Sequence, residues 1–170
     1  SATYAQLPDS SVTSLDADLL NIFNQKASKK YKIAGIVISG NHYFDETLLL
    51  SIAGLNVGDE ISIPGGDNFS KAIAKLWQQN YFSDIAIYIT KLDGDNIYLE
   101  LSVTERPRLS NFLFSGVKKA EIDELKTKSG LIVGRVITEN LKRTATDAIK
   151  KYYSDKGFRN IQVTITERPD

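Results

Sequence analysis

Cysteine is absent from the 170 residues, histidine occurs once, and no apolar run approaches the roughly 18 residues that cross a bilayer as a helix. Without cysteine there are no disulfides, no thiolate metal sites and no cysteine nucleophiles. With His42 as the one imidazole, a zinc site would have to be assembled mostly from carboxylates, and a Ser-His-Asp triad has a single candidate base. These absences point away from enzymatic chemistry, and no catalytic residue, metal or cofactor is expected. The first residues also lack a basic, apolar and small-residue leader, so the expectation is that any secretory signal has been removed or never existed.

What is present is ordinary for a soluble globular protein: 42% hydrophobic and 25% charged residues. Net charge is zero, yet residues 1–106 carry 8 basic and 13 acidic side chains, net −5, and residues 107–170 carry 13 basic and 8 acidic, net +5. Such asymmetry is either plain solvated surface or a basic second half that steers an acidic partner.

The chain repeats itself. A shift of 76 positions lays Phe112-Leu113-Phe114-Ser115-Gly116 on Ile36-Val37-Ile38-Ser39-Gly40, Gly130 and Gly134 on Gly54 and Gly58, Phe158 on Phe82, and Ile161, Val163 and Ile165 on Ile85, Ile87 and Ile89, without a gap. This is a tandem duplication, and a repeat of that length makes two small domains, 31–106 and 107–170, preceded by an arm at 1–30 that is rich in Ser, Asp, Asn and Ala. Within the arm, Leu15, Leu19, Ile22 and Phe23 recur at helical spacing behind Thr13 and Asp16, which predicts a short helix.

In the first repeat Ile33–Ser39 reads as a strand closed by Gly40-Asn41. Asp45 caps a helix through Leu48, Leu49 and Ile52, and Gly54 ends it. A turn through Gly58-Asp59 and Pro64-Gly65-Gly66 leads to a second helix, capped by Asp67 or Asn68, with the stripe Phe69, Ile73, Leu76 and Trp77. Ile85, Ile87 and Ile89 then alternate with Ala86, Tyr88 and Thr90, and Asp93-Gly94 turns into a last strand, Asn96–Thr104. The second repeat follows the same path: strand Leu109–Ser115, helix from about Ala120 to Lys128 stopped by Gly130, helix from Thr138 with the stripe Leu141, Ala145, Ile149 and Tyr152, and strand Ile161–Thr166. The counterpart of Asn96–Thr104 falls at 172–180, beyond Asp170. The predicted fold class is therefore α+β: two tandem β-α-α-β-β domains, each a three-stranded mixed sheet covered on one face by two helices, the second lacking its last strand.

Single motifs carry little. Gly54-Leu55-Asn56-Val57-Gly58 between two helices invites comparison with the Gly-x-x-Gly loop of an RNA-binding KH module, but it is one residue too long and has no basic residue to meet a phosphate; it reads as a helix stop and a turn. Pro64-Gly65-Gly66-Asp67 lacks the Lys-Ser/Thr pair of a phosphate loop, and Asp93, Asp95 and Asn96 lack calcium-loop spacing. His42 reads as a surface residue, and Trp77, Tyr81 and Phe82 as core.

In combination the features are more specific. A strand ending in Gly-Asn, a helix ending Leu76-Trp77-Gln78-Gln79-Asn80-Tyr81-Phe82-Ser83-Asp84, an alternating strand, an Asp-Gly turn and a last strand running into Glu105-Arg106-Pro107 resemble the POTRA (polypeptide-transport-associated) domain. Tyr152-Tyr153-Ser154-Asp155-Lys156-Gly157-Phe158 is similar to the junction of the same family in the second copy. Asn80 departs from the glycine usual at that point. The resemblance, over about residues 31–170, implies the periplasmic N-terminal part of an outer-membrane β-barrel assembly protein: a module that receives unfolded outer-membrane proteins, periplasmic chaperones and assembly lipoproteins, binds no nucleic acid, and is anchored by a C-terminal barrel absent from this sequence. The alternatives are a POTRA scaffold of two-partner secretion or cell division and, from another class, the KH-like RNA-binding module.

The family's sheet order implies that the second strand of each repeat lies at an edge and binds clients by strand addition: Ile85, Ala86, Ile87, Tyr88, Ile89 and Thr90, and Ile161, Gln162, Val163, Thr164, Ile165 and Thr166. The missing strand of the second repeat is expected to leave a slot between Leu109–Ser115 and Ile161–Thr166 that takes up an extended segment, with Thr3–Leu7 of a neighbouring molecule as the candidate. Pro107 fixes its own φ and biases Arg106 toward extended geometry, so Arg106-Pro107-Arg108 is expected to be a restrictive joint between the copies.

Overall fold

The computed structural model describes residues 5–6, 19 and 21–169. They fall into two compact units, Ser1–Glu105 and Arg106–Asp170.

The first unit contains strands β1 (Ala5–Gln6), β2 (Lys29–Ser39), β3 (Glu60–Ile63), β4 (Phe82–Asp93) and β5 (Asn96–Glu105), and helices α1 (Glu46–Ala53) and α2 (Asn68–Trp77). The sheet runs β1-β4-β5-β2-β3. β5 is central, antiparallel to β4 and parallel to β2. Alternation produces this directly: Ile85, Ile87 and Ile89 of β4 and Ile97, Leu99, Leu101 and Val103 of β5 are buried in one cluster with Ile33 and Ile38 of β2, Leu49 of α1 and Phe69, Ile73 and Leu76 of α2. Both helices start where expected. The Asp45 carboxylate accepts from Leu48 N–H at 2.7 Å, and Asp67 occupies the N-cap of α2 without a side-chain cap bond. Asn80, where the family favours glycine, has φ 61, a left-handed conformation that asparagine tolerates better than most residues.

The first sheet has five strands where three were expected. β3 lies inside the stretch read as a turn; Ile61 and Ile63 are buried, and the strand pairs antiparallel with the start of β2, from Lys29↔Ile63 to Lys32↔Glu60. Its partner exists because β2 begins at Lys29, ahead of the predicted Ile33. β1 is the second addition, parallel to β4 through Ala5↔Ile87 and Gln6↔Tyr88. Of the predicted arm helix, Leu19 and Asn21 have helical backbone; Leu19 and Ile22 are buried in the core of the first unit, whereas Thr13, Leu15 and Asp16 lie outside the described residues. Gln25 follows them into place, its Nε2 donating to the Ile63 carbonyl at 2.8 Å and to Tyr31 Oη at 3.0 Å.

In the second unit a 3-10 turn, Lys119–Glu121, leads into α3 (Ile122–Lys128), followed by α4 (Glu139–Asp155). Thr138 caps α4 by accepting from Leu141 N–H at 3.0 Å. Leu125, Ile149 and Tyr152 form its core, with Phe114, Val117, Tyr153 and Val163 packed against them. Contrary to expectation, neither Leu109–Ser115 nor Ile161–Thr166 belongs to a sheet; the bridge outside the first unit's strands is Arg108↔Val136. The reason is visible in the first unit, where β2 and β4 never pair with each other and both pair with β5. Among the described residues, the second unit has no segment in the place of β5, so the two flanking stretches have no ladder to join.

Candidate polypeptide-binding edge

Along β4 the side chains sort by face. Ile85, Ile87 and Ile89 point into the core and are at most 1% exposed. On the other face Ala86 is buried, Tyr88 is half-buried and Thr90 is exposed, with its hydroxyl donating to the Tyr98 carbonyl at 3.2 Å. Lys91 Nζ stands 5.2 Å from the centroid of the Tyr98 ring, close enough for a cation–π contact. One flank of β4 is joined to β5 from Phe82↔Glu105 to Asp93↔Asn96. The other flank is the sheet edge, and β1 runs along it in parallel over Ile87 and Tyr88.

The edge strand expected for the first repeat is therefore present, but it already carries an added strand. Of the segment Thr3–Leu7, expected to fill the slot of a neighbouring molecule, Ala5 and Gln6 lie on β4 of their own first unit, and Thr3, Tyr4 and Leu7 are outside the described residues. An existing ladder with an open row of N–H and C=O groups is a template for pairing. The second unit offers no such ladder. Its Ile161–Thr166 is correspondingly not an edge strand: Ile161 and Val163 are half-buried, Gln162, Thr164 and Thr166 are exposed, and Ile165 is 38% exposed.

Sequence reasoning missed one polar fastening. The Glu105 carboxylate, at the end of β5, accepts from the successive backbone N–H groups of His42, Tyr43 and Phe44 at 3.0–3.1 Å. It locks the loop after β2 to the last residue of the central strand. The partners are 61 to 63 residues apart, so no local signal announces them.

No group of three or more His, Cys, Asp or Glu side chains able to hold a metal occurs among the described residues. The loop weighed for RNA is folded onto the protein itself: Gly58 N–H donates to the Ile33 carbonyl at 2.8 Å, Asn56 N–H to Asp59 Oδ2 at 2.9 Å, and Leu55 is buried. What the first unit presents is backbone at a sheet edge.

A family model described as "Surface antigen variable number repeat", POTRA, matches residues 31–106 and again 107–170. The chain belongs to the POTRA family. Among curated relatives of these POTRA repeats is the "Outer membrane protein assembly factor BamA" of Nitratidesulfovibrio vulgaris, 28% identical over 132 residues, a match covering 78% of this chain and 16% of the relative. The POTRA chain thus spans about a sixth of that relative's length. Among solved structures, the N-terminal domain of Omp85 from the thermophilic cyanobacterium Thermosynechococcus elongatus superposes with a TM-score of 0.56 at 16% identity, covering 84% of this chain and 59% of that one. POTRA1-2 of the periplasmic domain of Omp85 from Anabaena aligns with a TM-score of 0.48 at 13% identity, over 85% of this chain and 91% of its own. The fold of tandem POTRA repeats, α+β with a mixed sheet, is shared with the first of these structures.

At the start of the second matched repeat, Pro107 and Arg108 are engaged with it. The Pro107 carbonyl accepts from Ile137 N–H at 2.9 Å, and Arg108 Nη1 donates to the Gly134 carbonyl at 3.1 Å. Leu109 N–H donates to the Arg135 carbonyl at 2.8 Å. The residues after Pro107 are thus tied down as soon as the second POTRA repeat begins.

Proposed function

We propose that this chain is a non-enzymatic binding and relay module at the periplasmic face of a bacterial outer membrane, receiving extended segments of unfolded outer-membrane proteins by strand addition along the flank of β4 that faces away from β5. The observation that carries the reading is that β4 accepts an added strand, Ala5–Gln6, on that flank. Strand addition reads backbone rather than sequence, which suits a receiver of many clients. Membership of the POTRA family and the relative named as an outer membrane protein assembly factor support the setting. Periplasmic chaperones and assembly lipoproteins are further partners in this proposal, and a barrel elsewhere in a longer protein supplies its anchor. Each ladder bond contributes about 0.5–1.5 kcal/mol net, and the client must be ordered, so a handful of pairs gives weak and releasable binding. Weak binding is what a relay requires.

A photo-crosslinking residue at Thr90, on β4, is compared with one at Glu100 on central β5, each challenged with a urea-unfolded outer-membrane barrel protein on dilution. Crosslinks from position 90 well above those from position 100 are expected. Equal yields would point to binding across the sheet face instead, and would sink edge addition.

A further inference from the structure

We infer that the edge is not empty at rest: the chain's own N-terminal arm is its resident occupant, and an incoming extended polypeptide binds β4 by exchange with Ala5–Gln6. The inference rests on the reading of β4 as the receiving edge. It deepens that reading by naming what a client must displace and the direction in which a replacement strand runs.

Position, strand direction and tether carry the argument. β1 sits opposite Ile87 and Tyr88, in the middle of the predicted client-binding stretch Ile85–Thr90, so a client pairing across that stretch meets the arm. Among the described residues β1 pairs with β4 at Ile87 and Tyr88, and the pairing is parallel, the less stable arrangement per residue. Two residues past Gln6 the sequence has Pro8, which has no N–H to give to a ladder. A client that pairs antiparallel along Ile85–Thr90 makes the stronger ladder and takes its place. The arm nevertheless holds the edge against weak competitors because it is tethered: Leu19 and Ile22 are buried in the same unit, and Gln25 is bonded to Tyr31 and Ile63. A short tether keeps the arm at an effective concentration on the order of millimolar. The other flank of β4 is taken by β5 along its length, so no second route onto the strand exists. The fitting partner is an extended segment that runs antiparallel to β4 along Ile85–Thr90. A bound client is thereby favoured over incidental short peptides.

The absence of cysteine makes the test clean. Gln6→Cys with Tyr88→Cys places one thiol on each of two directly opposed positions of neighbouring strands, a spacing compatible with a disulfide. The probe is a fluorescent synthetic peptide alternating Val with Thr and Lys, followed by anisotropy and by crosslinking from Thr90. In the full chain the oxidised pair should bind the probe at least about tenfold more weakly than the reduced pair, and deletion of residues 1–10, which spares Leu19 and Ile22, should tighten binding about three- to tenfold by removing the fraction of time the edge is occupied. Ala5→Pro with Gln6→Pro, which keeps the length of the arm, should act like the deletion. If the disulfide does not form within one chain, or if deletion leaves affinity unchanged while position 90 still crosslinks to the probe, the resident arm is wrong and strand addition survives. If the probe fails to reach position 90 even without the arm, strand addition at β4 falls, and the exchange with it.

Discussion

Residues that coincide under the shift of 76 have different fates in the two units. Phe82 is 1% exposed and its counterpart Phe158 is 53% exposed; Ile89 is fully buried and Ile165 is 38% exposed. Gly40 abuts the Val103 carbonyl, and Gly116 has nothing within 4 Å of where a Cβ would stand. The helices keep their places under the same shift, α1 falling on α3 and α2 within α4, even though their caps differ: Asp45 and Thr138 accept from Leu48 N–H and Leu141 N–H, whereas Glu121 and Asp67 make no side-chain cap bond. The difference teaches that the duplicated pattern encodes helices by itself, whereas it encodes strands only where a central partner, β5 in the first unit, completes the ladder.

The largest expected effect is on the phenylalanine pair. Phe82→Ala removes a buried ring that packs on Phe44 at 5.5 Å between centroids and should cost the first unit about 3–5 kcal/mol. Phe158→Ala loses an edge contact with Tyr153 at 5.9 Å and some half-exposed surface, and should cost the second unit about 1 kcal/mol. Urea unfolding followed by the single tryptophan, Trp77, reads the first unit, and hydrogen exchange of α4 amides reads the second. Equal costs would mean that the two rings are buried alike, and the comparison would break.

The glycine pair gives a smaller and sharper contrast. Both Gly40 and Gly116 have left-handed φ, 83 and 77, so alanine at either position meets a strain of about 1–2 kcal/mol. At Gly40 the new methyl also runs into the Val103 carbonyl of β5, which adds about 1–3 kcal/mol. Thermal melts of Gly40→Ala and Gly116→Ala should therefore differ, the first being the more damaging. Similar shifts would show that β5 does not press on the first glycine.

The smallest effect is electrostatic and belongs to the second unit. Tyr152 and Tyr153 of α4 donate to Glu124 and Glu121 at 2.9 Å each, and Lys156 lies 4.5 Å from the centroid of the Tyr152 ring. Burial first, and then the hydrogen bond to Glu121, push the Tyr153 phenol up to about 12 from 10.0. Because the folded pKa is the higher one, this contribution to stability is complete below pH 10, and it is lost between pH 10 and about 12 as the unfolded chain gives up its proton first. Alkaline unfolding of the second unit, tracked by phenolate absorbance, should become shallower over that window in Tyr153→Phe. An unchanged slope would assign the alkaline loss to other groups.

Much of the first unit is legible in its residues alone. Ile85, Ile87 and Ile89 against Ala86, Tyr88 and Thr90 announce a strand with one buried face, and Asp93-Gly94 announces its turn; β4 and β5 lie on either side of that turn. β3 carries a fainter signal of the same kind, since Ile61 and Ile63 alternate with Glu60 and Ser62. Four residues between two glycine-rich turns become a strand only because β2 extends back to Lys29. The edge is half legible. Its position follows from the sheet order, but its occupant does not, because nothing in Ala5-Gln6 distinguishes a strand from any other polar segment until β4 lies alongside.

By itself the sequence determined the duplication, the helices with their caps and stops, the apolar face of each alternating stretch and the family that the pattern belongs to. These depend on interactions within a few residues, or on periodicity that a single segment carries. The tertiary structure alone decided which alternating stretches became strands, which phenylalanine was buried, where Glu105 found its N–H groups, and that Ala5–Gln6 lies on β4. A ladder bond needs a second strand brought from far along the chain, so the same residues become sheet where that partner is present and remain unpaired where it is not.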